Sequence, residues 1–168
     1  MPVHDGAPWI TQAVASVLAQ SAGDLELIVI DDGSADATPD LLAAVRDGRL
    51  RVERQPRAGL TRSLNRALGL ARAPLVARLD ADDWALPERL ERQRAFLDAH
   101  ADVGLLGTAA REVDTTGRLL ATVTPPGDDA ALRRATIEEC TKGLRRMSAR
   151  VATTSGCPWP RTTISGCA

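Results

Sequence analysis

The chain of 168 residues has no tyrosine, one phenylalanine and three tryptophans, so aromatics make up only 2% of it. That poverty excludes the stacking platforms on which single-strand nucleic-acid binders rely. His4 and His100 are the only histidines, too few for a histidine-rich zinc site. Cys140, Cys157 and Cys167 are odd in number and lack a Cys-x-x-Cys spacing, so they suggest neither a zinc nor a redox framework. No uninterrupted apolar run approaches the roughly 20 residues of a membrane-spanning helix. The opening Met1-Pro2-Val3-His4-Asp5-Gly6 offers neither a basic nor an apolar leader. These absences point to a cytoplasmic chain, with attachment at a membrane surface left open. A net charge of −1, from 21 basic and 22 acidic residues, argues against phosphate-driven binding of nucleic acid.

What is present is enough for a folded core: 44% of residues are hydrophobic. Charge is uneven along the chain. Residues 1–132 carry 14 arginines and 20 acids, whereas residues 133–168 carry 7 basic residues and 2 acids, with no Asp or Glu after Glu139. Periodicity also fades after Arg134. The expected organisation is therefore one α/β domain over residues 1–134 and an irregular basic tail over residues 135–168.

Within the domain, helical and strand patterns alternate. Ile10, Ala13, Val14, Val17 and Leu18 share one helical face. Leu25 to Ile30 is almost wholly apolar, as in a strand buried on both faces of a parallel sheet. Thr38-Pro39 reads as an N-cap followed by a proline in the first turn, opening a helix to about Arg46. Leu50 to Glu53 reads as a second strand, Leu60 to Ala71 as a helix, and Leu75 to Leu79 as a third strand. A helix from Pro87 to about His100 follows, turning Leu90, Phe96 and Leu97 inward, and then a fourth strand from Val103 to Leu106. Glu112 to Leu120 looks like a strand, a turn and a returning strand. This order predicts a doubly wound sheet with helices on both faces. The first residues resemble the end of a strand whose earlier part is missing.

Two acidic clusters close predicted strands: Asp31-Asp32 and Asp80-Ala81-Asp82-Asp83. In an open α/β sheet, ligands bind outside the carboxyl ends of the strands. Carboxylates gathered there repel one another unless a cation or ligand offsets them. Mg²⁺ or Mn²⁺ suits all-oxygen donors and shares its shell with phosphate oxygens. Asp36 and Asp40 read instead as first-turn helix acids. No G-x-G-x-x-G and no G-x-S-x-G occurs, which removes the nicotinamide fingerprint and the hydrolase nucleophile elbow. A phosphoacceptor switch domain would need a lone Asp after the third strand and a Lys after the fifth. Here the acids cluster, and Lys142 is the sole lysine. Trp84, directly after the acids, reads either as a packing residue or as a surface for a sugar or base.

The order of these motifs resembles the family 2 glycosyltransferases, inverting enzymes that use nucleotide sugars and have the GT-A fold. The resemblance rests on Pro2 to Ala7, Ser16 to Gln20, Glu26 to Ser34, Gly59 to Asn65, Arg78 to Asp83, Pro87 to Gln93 and Val103 to Gly107, in that order over about residues 1–134. It implies a GT-A-type open, mostly parallel sheet, incomplete in this chain. It further implies that Pro2, Val3, His4 and Asp32, with Asp31 beside them, hold the base and ribose. Asp80 and Asp82 would be the D-x-D pair, Asp82 the more direct ligand of a Mg²⁺ or Mn²⁺ ion that assists departure of the nucleotide. The implied partners are a nucleotide-diphosphate sugar donor and an acceptor of unknown kind. His4-Asp5 departs from the family's more usual Tyr or Phe followed by Asn. The family's later acidic motif, source of the general base, is absent, which leaves a nucleotide-sugar-binding remnant as the alternative reading.

The tail carries one more expectation: that residues 140–168 are this missing motif read in the wrong frame. Reading from the last base of the Trp159 codon, the codons of Pro160 to Ala168 permit Ala-Glu-Asp-Tyr-Asp-Leu-Trp-Leu-Arg. In the same frame, those of Arg150 to Thr154 permit Gly-Gly-Tyr-Asp. A shift of frame would account together for the lost acids, the late cysteines and the basic charge.

Overall fold

The computed structural model describes residues 1–124 and residue 131. The expectations for the tail, including its frame, fall outside them. The chain divides into two compact units, Met1–Glu91 and one that begins at Arg92. The first contains β1 (Pro2–Val3), α1 (Ile10–Leu18), β2 (Leu27–Asp32), α2 (Thr38–Ala44), β3 (Leu50–Gln55) and α3 (Leu60–Leu70). The helix α4 (Arg89–Ala99) starts at its end, and the second unit holds the hairpin β4 (Ala110–Val113) and β5 (Leu119–Val123).

The sheet of the first unit has the order β1-β2-β3, and both pairs are parallel. Every residue of β2 is buried, as its apolar run predicts for the central strand. Its side chains alternate between two faces. Leu27 and Val29 join Ile10, Ala13 and Val14 of α1 and Leu42 of α2 in one core, and α3 packs on β2. Helices thus cover both faces, as the βα alternation implies. The register runs Pro2↔Ile30 and Val3↔Asp31 on one side of β2, and Leu27↔Leu50 through Asp32↔Gln55 on the other. All three strands therefore finish at one edge. The outer strand β3 exposes Arg51 and Arg54 and keeps Glu53 half-buried, charges that blunt an open edge.

Several boundaries differ from the sequence reading. The central strand begins two residues later and runs through both aspartates. Leu75 to Leu79 forms no strand: Leu75 and Val76 are about half-exposed, and only Leu79 enters the core. A strand needs a ladder partner. β1 spans two residues, and Pro2 has no N–H to donate, so its free edge offers little to pair with. Val103 to Leu106 is likewise irregular, with Leu105 exposed. The α2 helix ends at Ala44, and Thr38 is not its capping side chain; Asp36 Oδ1 accepts the Thr38 N–H instead (2.9 Å).

The expected strand, turn and return near residues 112–120 does form. Asp114 Oδ1 accepts the N–H groups of Thr116 and Arg118 at 2.9 and 3.1 Å. Gly117 takes the positive φ, +86°, that closes this turn.

Candidate nucleotide site at the strand ends

The site begins with two loops joined by hydrogen bonds. After β1, the Asp5 N–H donates to Ser34 Oγ (3.0 Å), Gly6 N–H to the buried Thr38 Oγ1 (2.9 Å), and Ala7 N–H to Asp36 Oδ2 (3.0 Å). Asp5 returns a bond, its Oδ1 accepting the Ala35 N–H at 2.8 Å. The short polar side chains at 34, 36 and 38 thus fix the β1–α1 loop to the β2–α2 loop. Asp5 holds φ = +50°, a left-handed conformation that Asn and Asp tolerate best. That explains how Asp serves where the family more often has Asn. Gly33 has φ = +78°, and a Cβ there would lie 2.8 Å from the Arg57 backbone nitrogen, so the chain can pass only as glycine.

The two central aspartates face opposite ways and do different work. Asp31 is 1% exposed; its Oδ1 accepts the Ser34 N–H (2.9 Å) and its Oδ2 lies 3.3 Å from Arg54 Nε. It is a buried post that braces the turn, and the structure does not bring it to an open surface. Asp32 faces the α3 side. Its Oδ1 accepts from Gln55 Nε2 (2.7 Å) and Ala58 N–H (2.8 Å), and its Oδ2 accepts from Gly59 N–H (2.8 Å). Burial alone would raise its pKa, but these donors, with Ser63, outweigh it and hold the carboxyl below the usual range. Asp32 therefore clamps the loop from Gln55 to Gly59 at the start of α3.

His4 stands against Asp32. Its Nδ1 lies 3.0 Å from the Asp32 carbonyl oxygen, which can only accept, so Nδ1 carries the proton. Its Nε2 lies 3.4 Å from Asp5 Oδ2. Pro2 and Val3 are buried in β1 and contribute backbone and core.

The second acidic cluster reaches the same edge. A Cβ on Gly6 would lie 3.8 Å from Ala81 Cβ, which sets Asp80-Ala81-Asp82 beside the loop that follows β1. Asp80 is held by Arg78, whose Nε and Nη2 donate to its two oxygens at 3.0 and 3.1 Å. Asp82 is exposed. Among the described residues, no three His, Cys, Asp or Glu side chains converge as a preformed metal cage. The donor set still fits a hard divalent ion of the kind that takes one or two carboxylates and completes its shell from substrate phosphates and water. Behind this cluster, Gln20 locks residues 85–90 to α1. Its Nε2 donates to the Leu86 carbonyl (2.8 Å) and its Oε1 accepts the Leu90 N–H (2.9 Å), while Ser16 Oγ accepts the Ala85 N–H (3.0 Å). Hydrophobic periodicity alone does not assign these two polar residues a role, although both fall in the Ser16–Gln20 motif that the resemblance rests on.

His4, Asp32 and the Asp80–Asp82 turn therefore lie at the carboxyl edge of a parallel sheet, and this defines the class: an α/β protein with an acidic cluster at its strand ends, where open sheets of this kind bind ligands. A sequence model of the family Glycosyl transferase family 2 matches residues 1–150. The putative glycosyltransferase EpsE of Bacillus subtilis is 33% identical over 135 residues, which cover 76% of this chain and 49% of EpsE. The succinoglycan biosynthesis protein ExoO of Rhizobium meliloti is 41% identical over 97 residues, 57% of this chain and 28% of ExoO. Among solved structures, S. aureus TarS 1–349 in complex with UDP-GlcNAc is similar with a TM-score of 0.60 and 28% identity, over 68% of this chain and 35% of TarS. The complex with UDP gives a TM-score of 0.59. The chain belongs to glycosyl transferase family 2, and its incomplete α/β sheet is of the GT-A type. It spans about half or less of the length of these curated relatives. No helix among the described residues is long and apolar enough to cross a membrane.

Proposed function

We propose that this chain is the donor-binding half of a glycosyltransferase that takes its sugar from a nucleoside diphosphate sugar, in the synthesis of a polysaccharide. The observation that carries the reading is the convergence of His4, Asp32 and the Asp80–Asp82 turn on one sheet edge. The likeness to TarS, solved with UDP and with UDP-GlcNAc, supports a uridine nucleotide. The relatives named for glycosyl transfer and succinoglycan biosynthesis support the polysaccharide.

In this reading His4 and the clamped Gln55–Gly59 loop form the walls for base and ribose. Asp32 shapes that wall, and Asp31 braces it from beneath. Asp82, with Asp80, would hold a Mg²⁺ or Mn²⁺ ion, which would supply charge neutralisation to the diphosphate. Arg78 sets the Asp80 carboxylate in place. The acceptor hydroxyl needs a carboxylate base within hydrogen-bond reach, and no Asp or Glu follows Glu139. We infer that the described residues supply the donor-binding part of the site.

Calorimetry of the full chain with UDP, in Mn²⁺ and in chelator, tests this. Binding that strengthens with metal supports the reading. Equal affinity in both removes the metal role, and no binding in either removes the donor site.

A further inference from the structure

In a chain so poor in aromatics, two of the three tryptophans lie on the surface beside the acidic edge. Trp9 is 51% exposed and Trp84 46%. The remaining aromatic among the described residues, Phe96, is engaged with another ring, stacking on His100 at 4.1 Å. An exposed indole offers a flat apolar face and a polar N–H to a ligand.

The hydrogen bonds place Trp84 beside α1. Residues 81–86 run beside that helix: Ala81 meets Gly6 in the loop before it, Ala85 N–H bonds Ser16 Oγ within it, and the Leu86 carbonyl bonds Gln20 Nε2 just after it. Trp9 is the residue preceding α1, seven positions before Ser16 and roughly 10 Å from it along the axis. Trp84 adjoins Ala85, whose N–H is tied to α1, and lies two residues beyond Asp82. Ala85 itself is buried and bonded, so Trp84 is fixed at its backbone while its ring stays open.

We propose that Trp84, with Trp9 at the start of α1 nearby, is the stacking surface for a pyranose ring, and so a specificity-determining residue of the transfer. This deepens the donor-site reading and rests on it for the identity of the sugar-bearing ligand. A pyranose presents a face of C–H groups that packs on an indole, while its hydroxyls remain at the rim for water and polar groups. Continuity with Asp82 favours a ring attached to, or approaching, the diphosphate. Two sources share this chemistry: the donor's own sugar and a glycan acceptor.

The test uses the full chain, Trp84→Ala, Trp84→Phe and Trp9→Ala, each checked for native circular dichroism. UDP, UDP-GlcNAc and chitotriose are titrated separately in Mn²⁺. If the donor sugar stacks on Trp84, Trp84→Ala binds UDP as the parent does and loses about fivefold to tenfold toward UDP-GlcNAc, the size of one aromatic contact, with Trp84→Phe recovering most of it. If a glycan acceptor stacks there, the loss falls on chitotriose alone, and Trp9→Ala shares it. Failure of UDP to bind, with chitotriose still lost in Trp84→Ala, sinks the donor reading and leaves this surface standing. Unchanged affinity of Trp84→Ala for both sugar ligands overturns the proposal, as does a parent chain that binds UDP-GlcNAc no better than UDP and binds no chitotriose.

Discussion

Replacing Asp32 with Ala separates its structural work from its part in ligand binding. The carboxylate accepts three hydrogen bonds, from Gln55 Nε2 and from the Ala58 and Gly59 N–H groups, all between 2.7 and 2.8 Å. A hydrogen bond to a charged group contributes about 1.5–3 kcal/mol, and an orphaned buried donor is costly. Gly59 is exposed and Ala58 half-buried, so both N–H groups find water once the loop relaxes. Gln55 keeps its bond to Ser63 Oγ (3.0 Å). The net destabilisation is therefore about 2–4 kcal/mol, well below the sum of three full bonds. Urea unfolding followed by circular dichroism reads it as a lower midpoint at unchanged slope. Asp32 has a depressed pKa when folded. Its contribution is thus complete above the unfolded value and drains as pH falls through the folded one, below about pH 4. The gap between variant and parent should close in that acid range. A loss under 0.5 kcal/mol at pH 7, or a gap that stays constant into acid, would refute the clamp.

Asp82→Ala should leave the urea midpoint unchanged, since the side chain is exposed, and should abolish the metal dependence of UDP binding by calorimetry. Gln20→Ala strips partners from the part-buried Leu86 carbonyl and Leu90 N–H, and about 1–2 kcal/mol should be lost in the same unfolding assay. Gly33→Ala meets both a forbidden φ and the Arg57 backbone; about 1–3 kcal/mol of strain should appear as a lower thermal midpoint. Sequencing the gene checks the frame of the tail: codons spelling the Ala-Glu-Asp-Tyr-Asp peptide one frame over are expected, and any other peptide ends that idea.

The parts legible in the sequence are those set by local pattern. The inward face of α1 follows from the spacing of Ile10, Ala13, Val14 and Val17, each buried as its period requires. The buried central strand follows from its apolar run, and the hairpin turn from Asp114 and Gly117. What failed depends on partners that no local pattern reveals. Leu75 to Leu79 is as apolar as a strand, but apolarity supplies no ladder, and β1 beside it is two residues long. The candidate site divides the same way. Acids after apolar runs mark the carboxyl edge of the sheet, where His4 Nδ1 lies against the Asp32 carbonyl. That Asp31 points to the core and Asp32 to the loop is set by the strand's alternation, which hinges on where β2 ends. Thr38 reads as a cap residue in the sequence; its hydroxyl and that of Ser34 instead tie two loops together across the sheet edge.

The most direct measurement is an amide ¹H–¹⁵N map of the full chain titrated with UDP in Mg²⁺, a diamagnetic ion that leaves resonances visible. The account predicts shifts concentrated at His4 to Ala7, Asp32 to Ser34, Gln55 to Gly59 and Asp80 to Asp83, with the Asp80–Asp83 shifts lost when chelator replaces Mg²⁺. Shifts centred on the opposite edge, at Gly23 to Glu26 and Asp47 to Leu50, or no shifts at all, would contradict it.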